Sequence, residues 1–212
     1  MGRLADLDAV TFDANGTLVR LVDPVPELER ALGERGVRRS PNAIRRAFEA
    51  EGRMYAARAV EAHRPDAFAT LQRECTGLFL EKLEADALDS AEFAPVYVEA
   101  MQFELLPGVR ESLERLRRCG LELAVVANFD FTLRARLERL GLGQVFSAMV
   151  TPADAGAAKP AAKIFELALE RLAVAPSRAL HIGDGAADEE GAAAAGMNFA
   201  WAPIPQALEG WA

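Results

Sequence analysis

Short apolar runs recur along this chain, with stretches of helical periodicity between them. LDAVTF (7–12), LELAVVA (121–127), FSAMVT (146–151), ALHIG (179–183) and FAWAP (199–203) are apolar enough to be buried on both faces, as strands of a parallel sheet are. Between and before them lie PGVRESLERLRRCG (107–120), FTLRARLERLGL (131–142), AAKIFELALERLAV (161–174) and the Ala-rich AADEEGAAAAG (186–196). The first three carry apolar residues at helical spacing. Pro107 suits a first helical position, and Gly120 a position just past a helix end. This alternation predicts an α/β fold, a doubly wound parallel sheet with helices on both faces.

One interval departs from the alternation. From about residue 20 to 103 there is no strand candidate, only amphipathic helical text: VPELERALGERG (25–36), SPNAIRRAFEAEGRMYAARAVEAH (40–63), DAFATLQRECTGLFLEKLEA (66–85) and SAEFAPVYVEAMQF (90–103). Helix starts are expected at Ser40-Pro41, Asp66 and Ser90. The expected organisation is an α/β core of residues 1–19 and 104–212, with residues 20–103 inserted as an all-helical cap.

Open parallel sheets bind ligands beyond the carboxyl ends of their strands. Those ends supply Asp13 and Asn15 after the first strand, Asn128 after the second, and Asp184 and Asp188 after the fourth; Lys159 is expected to head the helix leading into that fourth strand. Taken alone, Asn15-Gly16 fits an ordinary turn, Asp184 and Asp188 fit helix caps, and Lys159 fits a surface lysine before Pro160. Three carboxylates, two amides and an ammonium gathered at one sheet edge fit a catalytic site better than loop polarity. His181, inside the fourth strand, reads as a satisfied core histidine.

Composition narrows the partners. The 212 residues carry a formal net charge of -8, which disfavours nucleic-acid and anionic-membrane surfaces. No run reaches transmembrane length and MGRLADLDAV has no apolar leader, so a cytoplasmic protein is expected. Cys75 and Cys119 are far apart, without a metal-binding spacing, and read as a buried, reduced pair.

FDANGTL (12–18), VVANFD (125–130), AAKPAAKIF (157–165) and HIGDGAADEEGAAAAGM (181–197) resemble the four ordered motifs of the haloacid dehalogenase-like (HAD) hydrolase superfamily, in its helical-cap, phosphatase-like branch. The resemblance implies a Rossmann-like core and a Mg²⁺-dependent hydrolase of a small phosphorylated metabolite, with Asp13 as the nucleophile that forms an aspartyl-phosphate. It implies a metal held by Asp13, the Asn15 carbonyl, Asp184 and Asp188. It further implies a phosphate cradle of Gly16, Thr17, Ala127, Asn128 and Lys159. The chemistry is consistent: a carboxylate attacking a phosphate dianion needs a cation between them. Paired acids suit a hard ion, and lysine suits a point-charge role.

Two positions depart from the pattern. Hydrolytic members carry a second aspartate where this chain has Asn15, and an amide cannot exchange a proton at neutral pH. General acid–base help is worth about 10²–10⁴-fold in rate. Ala127 stands where the second motif has Ser or Thr, removing a phosphate hydrogen bond worth about 1–3 kcal/mol. These departures keep open a catalytically degenerate HAD-like protein that binds a ligand or partner. A 2-haloacid dehalogenase would tolerate Asn15, but Asp184 and Asp188 would repel its halide and carboxylate.

Overall fold

The structure, a computed structural model, describes residues 3–62 and 64–211. His63, the last residue of the 40–63 helical segment, lies outside the described residues. The chain divides into two compact units, one of Met1–Arg20 with Glu104–Ala212 and the other of Leu21–Phe103.

In chain order the strands are β1 (Ala9–Phe12), β2 (Val19–Leu21), β3 (Phe103–Leu105), β4 (Glu122–Val126), β5 (Ala148–Val150), β6 (Ala179–Gly183) and β7 (Asn198–Trp201). Five of them form a sheet in the order β5-β4-β1-β6-β7, and each neighbouring pair is parallel. The chain leaves the central β1 for one side of the sheet and later crosses to the other, which makes the end of β1 a topological switch point. β1 and β6 are buried along their whole length, in keeping with their unbroken apolar text. β2 and β3 make a separate two-stranded sheet. Both overlap the ends of the interval expected to be purely helical. Each is three residues long with mixed burial, too short for alternation to show.

The first unit also carries α5 (Val109–Arg118), α6 (Leu133–Arg139), α7 (Pro152–Ala155), α8 (Ala162–Leu172), α9 (Ala186–Ala194) and α10 (Ile204–Glu209). α8 packs Ile164, Phe165, Ala168 and Leu169 into a cluster with Val126, Val150 and Ala192. Pro107 does not open α5: Gly108, with φ +74°, is the N-cap and the proline precedes it. Gly120 follows the helix end as expected, with φ +80°. Lys159 does not head α8 either; it lies in the loop ahead of the Ala161 N-cap. Cys119 is the exposed C-cap of α5, beyond that helix's apolar stripe, whereas Cys75 is buried; both are free.

The second unit is helical: α1 (Val25–Gly33), α2 (Pro41–Arg58), α3 (Pro65–Lys82) and α4 (Ser90–Glu99). Ser40 caps α2 by accepting from Ala43 N–H, with Pro41 at the first helical position. The cap of α3 is Arg64 and that of α4 is Asp89, so Asp66 and Ser90 sit just inside their helices. Asp89 accepts from two N–H groups, at 2.8 and 3.0 Å, and takes the capping role from Ser90. Leu28, Leu32, Ile44, Phe79, Phe93 and Tyr97 form the core of this unit, and each fully buried side chain of this kind contributes about 1.5–3 kcal/mol. Arg45 of α2 is paired with Asp23 at 2.8 Å.

Glu51 on α2 is buried against a hydroxyl. The Tyr97 O–H donates to its Oε2 at 2.7 Å. Burial pushes the Glu51 carboxyl up from its usual range, with bonds from Tyr97 and Cys75 partly opposing. A raised carboxyl pKa in the folded state means that ionisation destabilises the fold. Stability therefore falls as pH rises from the ordinary Glu range toward the raised value. Glu51→Gln removes this penalty. Its melting temperature relative to wild type should rise as the pH is raised above the ordinary Glu range, and parallel pH profiles would show that Glu51 carries none of the dependence.

Candidate active site

Register builds the site. Phe12 is level with Val125 of β4 and Ile182 of β6, so Asp13, Ala127 and Asp184 emerge at one edge. The Asp13 N–H extends the ladder to the Ile182 carbonyl at 2.9 Å. The chain then turns sharply: Gly16 has φ +89°, and its N–H reaches the Val19 carbonyl at 2.8 Å.

Four of the residues expected from sequence converge. Lys159 Nζ donates to Asp13 Oδ1 and, at 2.6 Å, to Asp188 Oδ1; all three side chains are buried. Asp13, Asp184 and Asp188 each offer a carboxylate oxygen within 4.8 Å of the others. Asp188 lies in the first turn of α9, where its Oδ2 accepts from Gly185 N–H at 3.1 Å. The helix-capping role that suits this aspartate by sequence is thus real, and it coexists with the contact to Lys159.

Two glycines let these carboxylates approach. A Cβ on Gly16 would lie 1.9 Å from Asp184 Oδ2, and one on Gly183 would lie 2.3 Å from Asp188 Cγ. Any larger residue at either position would displace an acid from the cluster.

The remaining expected residues are placed differently. Asn15 is exposed on the turn and its backbone bridges to Val19. Thr17 is buried, and its hydroxyl has no hydrogen-bond partner among the described residues. Ala127 is buried, with its N–H bonded to the Val150 carbonyl at 3.1 Å. The Asn128 side chain is committed to Lys159: Oδ1 accepts from the Lys159 N–H at 2.7 Å and Nδ2 donates to its carbonyl at 3.0 Å. This clamp fixes the loop that carries the ammonium. It is a positioning role that the sequence does not reveal.

The electrostatics follow from burial and pairing. Burial pushes Asp13 up to about 6; the Lys159 charge opposes this and the Asp188 charge adds to it. Asp188 is also desolvated, but its hydrogen bond with His181 and the Lys159 charge more than offset that, holding it below the usual carboxylate range. Asp184 is raised by burial and by Asp188. His181, fully buried, is pushed down to about 4 chiefly by desolvation and is neutral at neutral pH. It is a satisfied core histidine, as the sequence suggests. Its partner, Asp188, lies 3.0 Å from Nε2 and is not evident from sequence. The available signal is strand alternation, which puts Thr11 and Asp13 on one face and His181 and Gly183 on one face.

Three carboxylates thus confront one ammonium beside a neutral imidazole. The donors are all hard oxygens, and Asp184 is exposed at the edge of the cluster. Such a set fits a divalent cation of the Mg²⁺ type.

A profile of the haloacid dehalogenase-like hydrolase family matches residues 7–196. The chain belongs to that family. It is 41% identical over 85 residues to haloacid dehalogenase-like hydrolase domain-containing protein 3 of Xenopus laevis, covering 40% of this chain and 35% of the relative. It is 38% identical over 116 residues to the ribulose-1,5-bisphosphate 5-phosphatase of Halopiger xanaduensis, covering 54% of this chain and 47% of the relative. Each match thus spans less than half the relative's length. Among solved structures, a HAD phosphatase from Thermococcus onnurineus superposes with a TM-score of 0.57 at 27% identity, covering 92% of this chain and 86% of that one.

The packing at Gly16 is testable. Gly120 has a similar positive φ but open space where a Cβ would lie, so Gly120→Ala should cost only the left-handed strain, roughly 1–2 kcal/mol. Gly16→Ala should cost a further ~1–3 kcal/mol from overpacking. That excess should shrink in an Asp184→Ala background. Equal denaturant-melt losses for the two glycine variants would mean that the loop accommodates a methyl group without moving Asp184.

Proposed function

We propose that this chain is a Mg²⁺-dependent phosphohydrolase of small phosphorylated metabolites, working through an aspartyl-phosphate on Asp13. The observation that carries the proposal is the buried convergence of Asp13, Lys159 and Asp188, with Asp184 completing the carboxylate set. The phosphatase names of relatives such as the Halopiger protein support the substrate class. Asp13, Asp184, Asp188 and the Asn15 carbonyl would hold the ion. Bound there, the ion would neutralise charge between nucleophile and phosphate and polarise a phosphoryl oxygen.

The chain's own groups supply the rest. An Asp13 carboxylate oxygen attacks phosphorus and the P–O bond to the leaving group breaks. Lys159 holds Asp13 in position and carries positive charge against the phosphoryl oxygens. Water then attacks the aspartyl-phosphate, releasing inorganic phosphate and restoring the Asp13 carboxylate. With Asn15 in place of an acid, the leaving oxygen takes its proton from solvent and the attacking water gives its proton to solvent. Turnover is slow for that reason. Gly16, Thr17, Ala127 and Asn128 would border the phosphate position.

A second reading is a degenerate relative that binds its ligand without turnover. Asn15 and Ala127 favour it. The intact charge framework of Asp13, Lys159, Asp184 and Asp188 favours catalysis. A dehalogenase is disfavoured, because no halide or carboxylate substrate is attracted to such an acidic cluster.

Ligand binding to the native state raises thermal stability. Magnesium should therefore raise the melting temperature of the wild type and have little effect on Asp184→Ala. An equal response in both proteins would remove Asp184 from the metal site.

Asn15→Asp should speed hydrolysis of an activated phosphate ester by up to about 10²-fold, since the restored carboxylate can take the proton from water. A good leaving group isolates that step. Because Asn-Gly pairs deamidate, peptide mass mapping across residue 15 must accompany the assay. Amide-intact wild type as fast as Asn15→Asp would show that another group moves the proton. Two inactive proteins that both still bind magnesium would favour the degenerate binder.

A further inference from the structure

Thr11 and His181 are register partners on adjacent parallel strands, β1 and β6. Both are fully buried, and Thr11 Oγ1 lies 2.8 Å from His181 Nδ1. On the far side of the ring, Nε2 lies 3.0 Å from Asp188 Oδ1. Phe165 meets the imidazole edge-on, with centroids 4.9 Å apart, and holds its plane. Hydrogen bonds therefore run from Thr11 through His181 to Asp188, and from Asp188 through Lys159 to Asp13.

Partner chemistry fixes where the protons lie. An ionised carboxylate only accepts, so Nε2 carries the ring proton toward Asp188. In the neutral ring Nδ1 is then an acceptor, and the Thr11 hydroxyl donates to it. The consequence reaches the carboxylate. Asp188 Oδ1 is occupied by both Lys159 and His181, and Oδ2 has accepted the Gly185 N–H. One lone pair of Oδ2 remains, so the carboxylate has a single orientation in which to meet a cation. Were the ring proton on Nδ1, the Nε2 lone pair would face Oδ1 and push the carboxylate round.

We propose that Thr11 and His181 form a positioning pair, in which the Thr11 hydroxyl donates to Nδ1 and anchors the ring while the Nε2–H, fixed by the Asp188 carboxylate, orients Asp188 for the divalent cation. The proposal rests on the metal site proposed above. Neither residue touches the reacting atoms. Groups that orient metal ligands in this manner typically affect metal affinity or activity by 10–100-fold when removed.

The chain has only two histidines, His63 and His181, so the ring resonances are few. Long-range proton–nitrogen correlation spectra of labelled protein, assigned with His63→Gln, should show His181 as the Nε2–H form without added metal. Thr11→Val keeps the side-chain shape and removes the hydroxyl. It should leave the ring in the Nε2–H form but without its anchor at Nδ1, and weaken Mg²⁺ binding, measured calorimetrically, by about 10-fold. His181→Leu should weaken it by up to about 100-fold, and His181→Gln, which keeps an N–H donor, should recover part of the loss. A purely structural role does not predict the rescue by glutamine. An Nδ1–H form in the wild type, or wild-type magnesium affinity in both Thr11→Val and His181→Leu, would overturn the proposal alone. A wild type that binds no magnesium would overturn the metal site itself, and this inference with it.

Discussion

The structure of the site depends on one buried cation. Lys159 is nearly withdrawn from water, with 4% of its side chain exposed, and its ammonium is shared by Asp13 and Asp188. Removing one partner of a buried pair typically costs about 3–5 kcal/mol, because the other charge is left uncompensated. The surroundings are arranged around that requirement. Asn128 grips the Lys159 backbone at both its N–H and its carbonyl. Gly185 and His181 hold Asp188 from two directions. Residues 146 positions apart are thereby tied at the end of one strand.

The same linkage explains why the acids can sit so close together. Asp13 and Asp188 share a cation but differ in solvation and hydrogen bonding, and their proton affinities diverge in opposite directions. Asp184 lies at the exposed edge, where burial and its neighbour Asp188 raise it by more than its own backbone N–H and the Lys159 charge lower it. An added divalent cation would act most strongly there, where the framework leaves negative charge unbalanced.

The sheet is legible in the sequence because burial on both faces leaves unbroken apolar text, and the site is legible because polar residues end those runs. Asp13, Lys159, Asp184 and Asp188 can all be named from position alone. What escapes depends on short elements or on tertiary partners. β2 and β3 are too brief to show alternation, and α7 and α10 span four and six residues. Asp89 and Ser90 are both good caps by chemistry, and only backbone conformation separates the cap from the first helical residue. Asn128 reads correctly as following its strand, and His181 as lying inside its own. Their partners, a loop backbone and a helical carboxylate, belong to segments distant in sequence.

Asn15 stands apart from this framework. It is exposed, and none of the bonds linking Thr11, His181, Asp188, Lys159 and Asp13 passes through it. On the proposed function, holding charge and moving protons would therefore fall to separate parts of the site. The separation is not complete, because an aspartate at position 15 would add a fourth carboxylate to a cluster with one ammonium. An amide there spares the site that repulsion at the expense of a proton carrier. On the proposed function, the buried acids and lysine would hold the phosphate and the cation, and the exposed residue 15 would set how fast the bound ester is turned over.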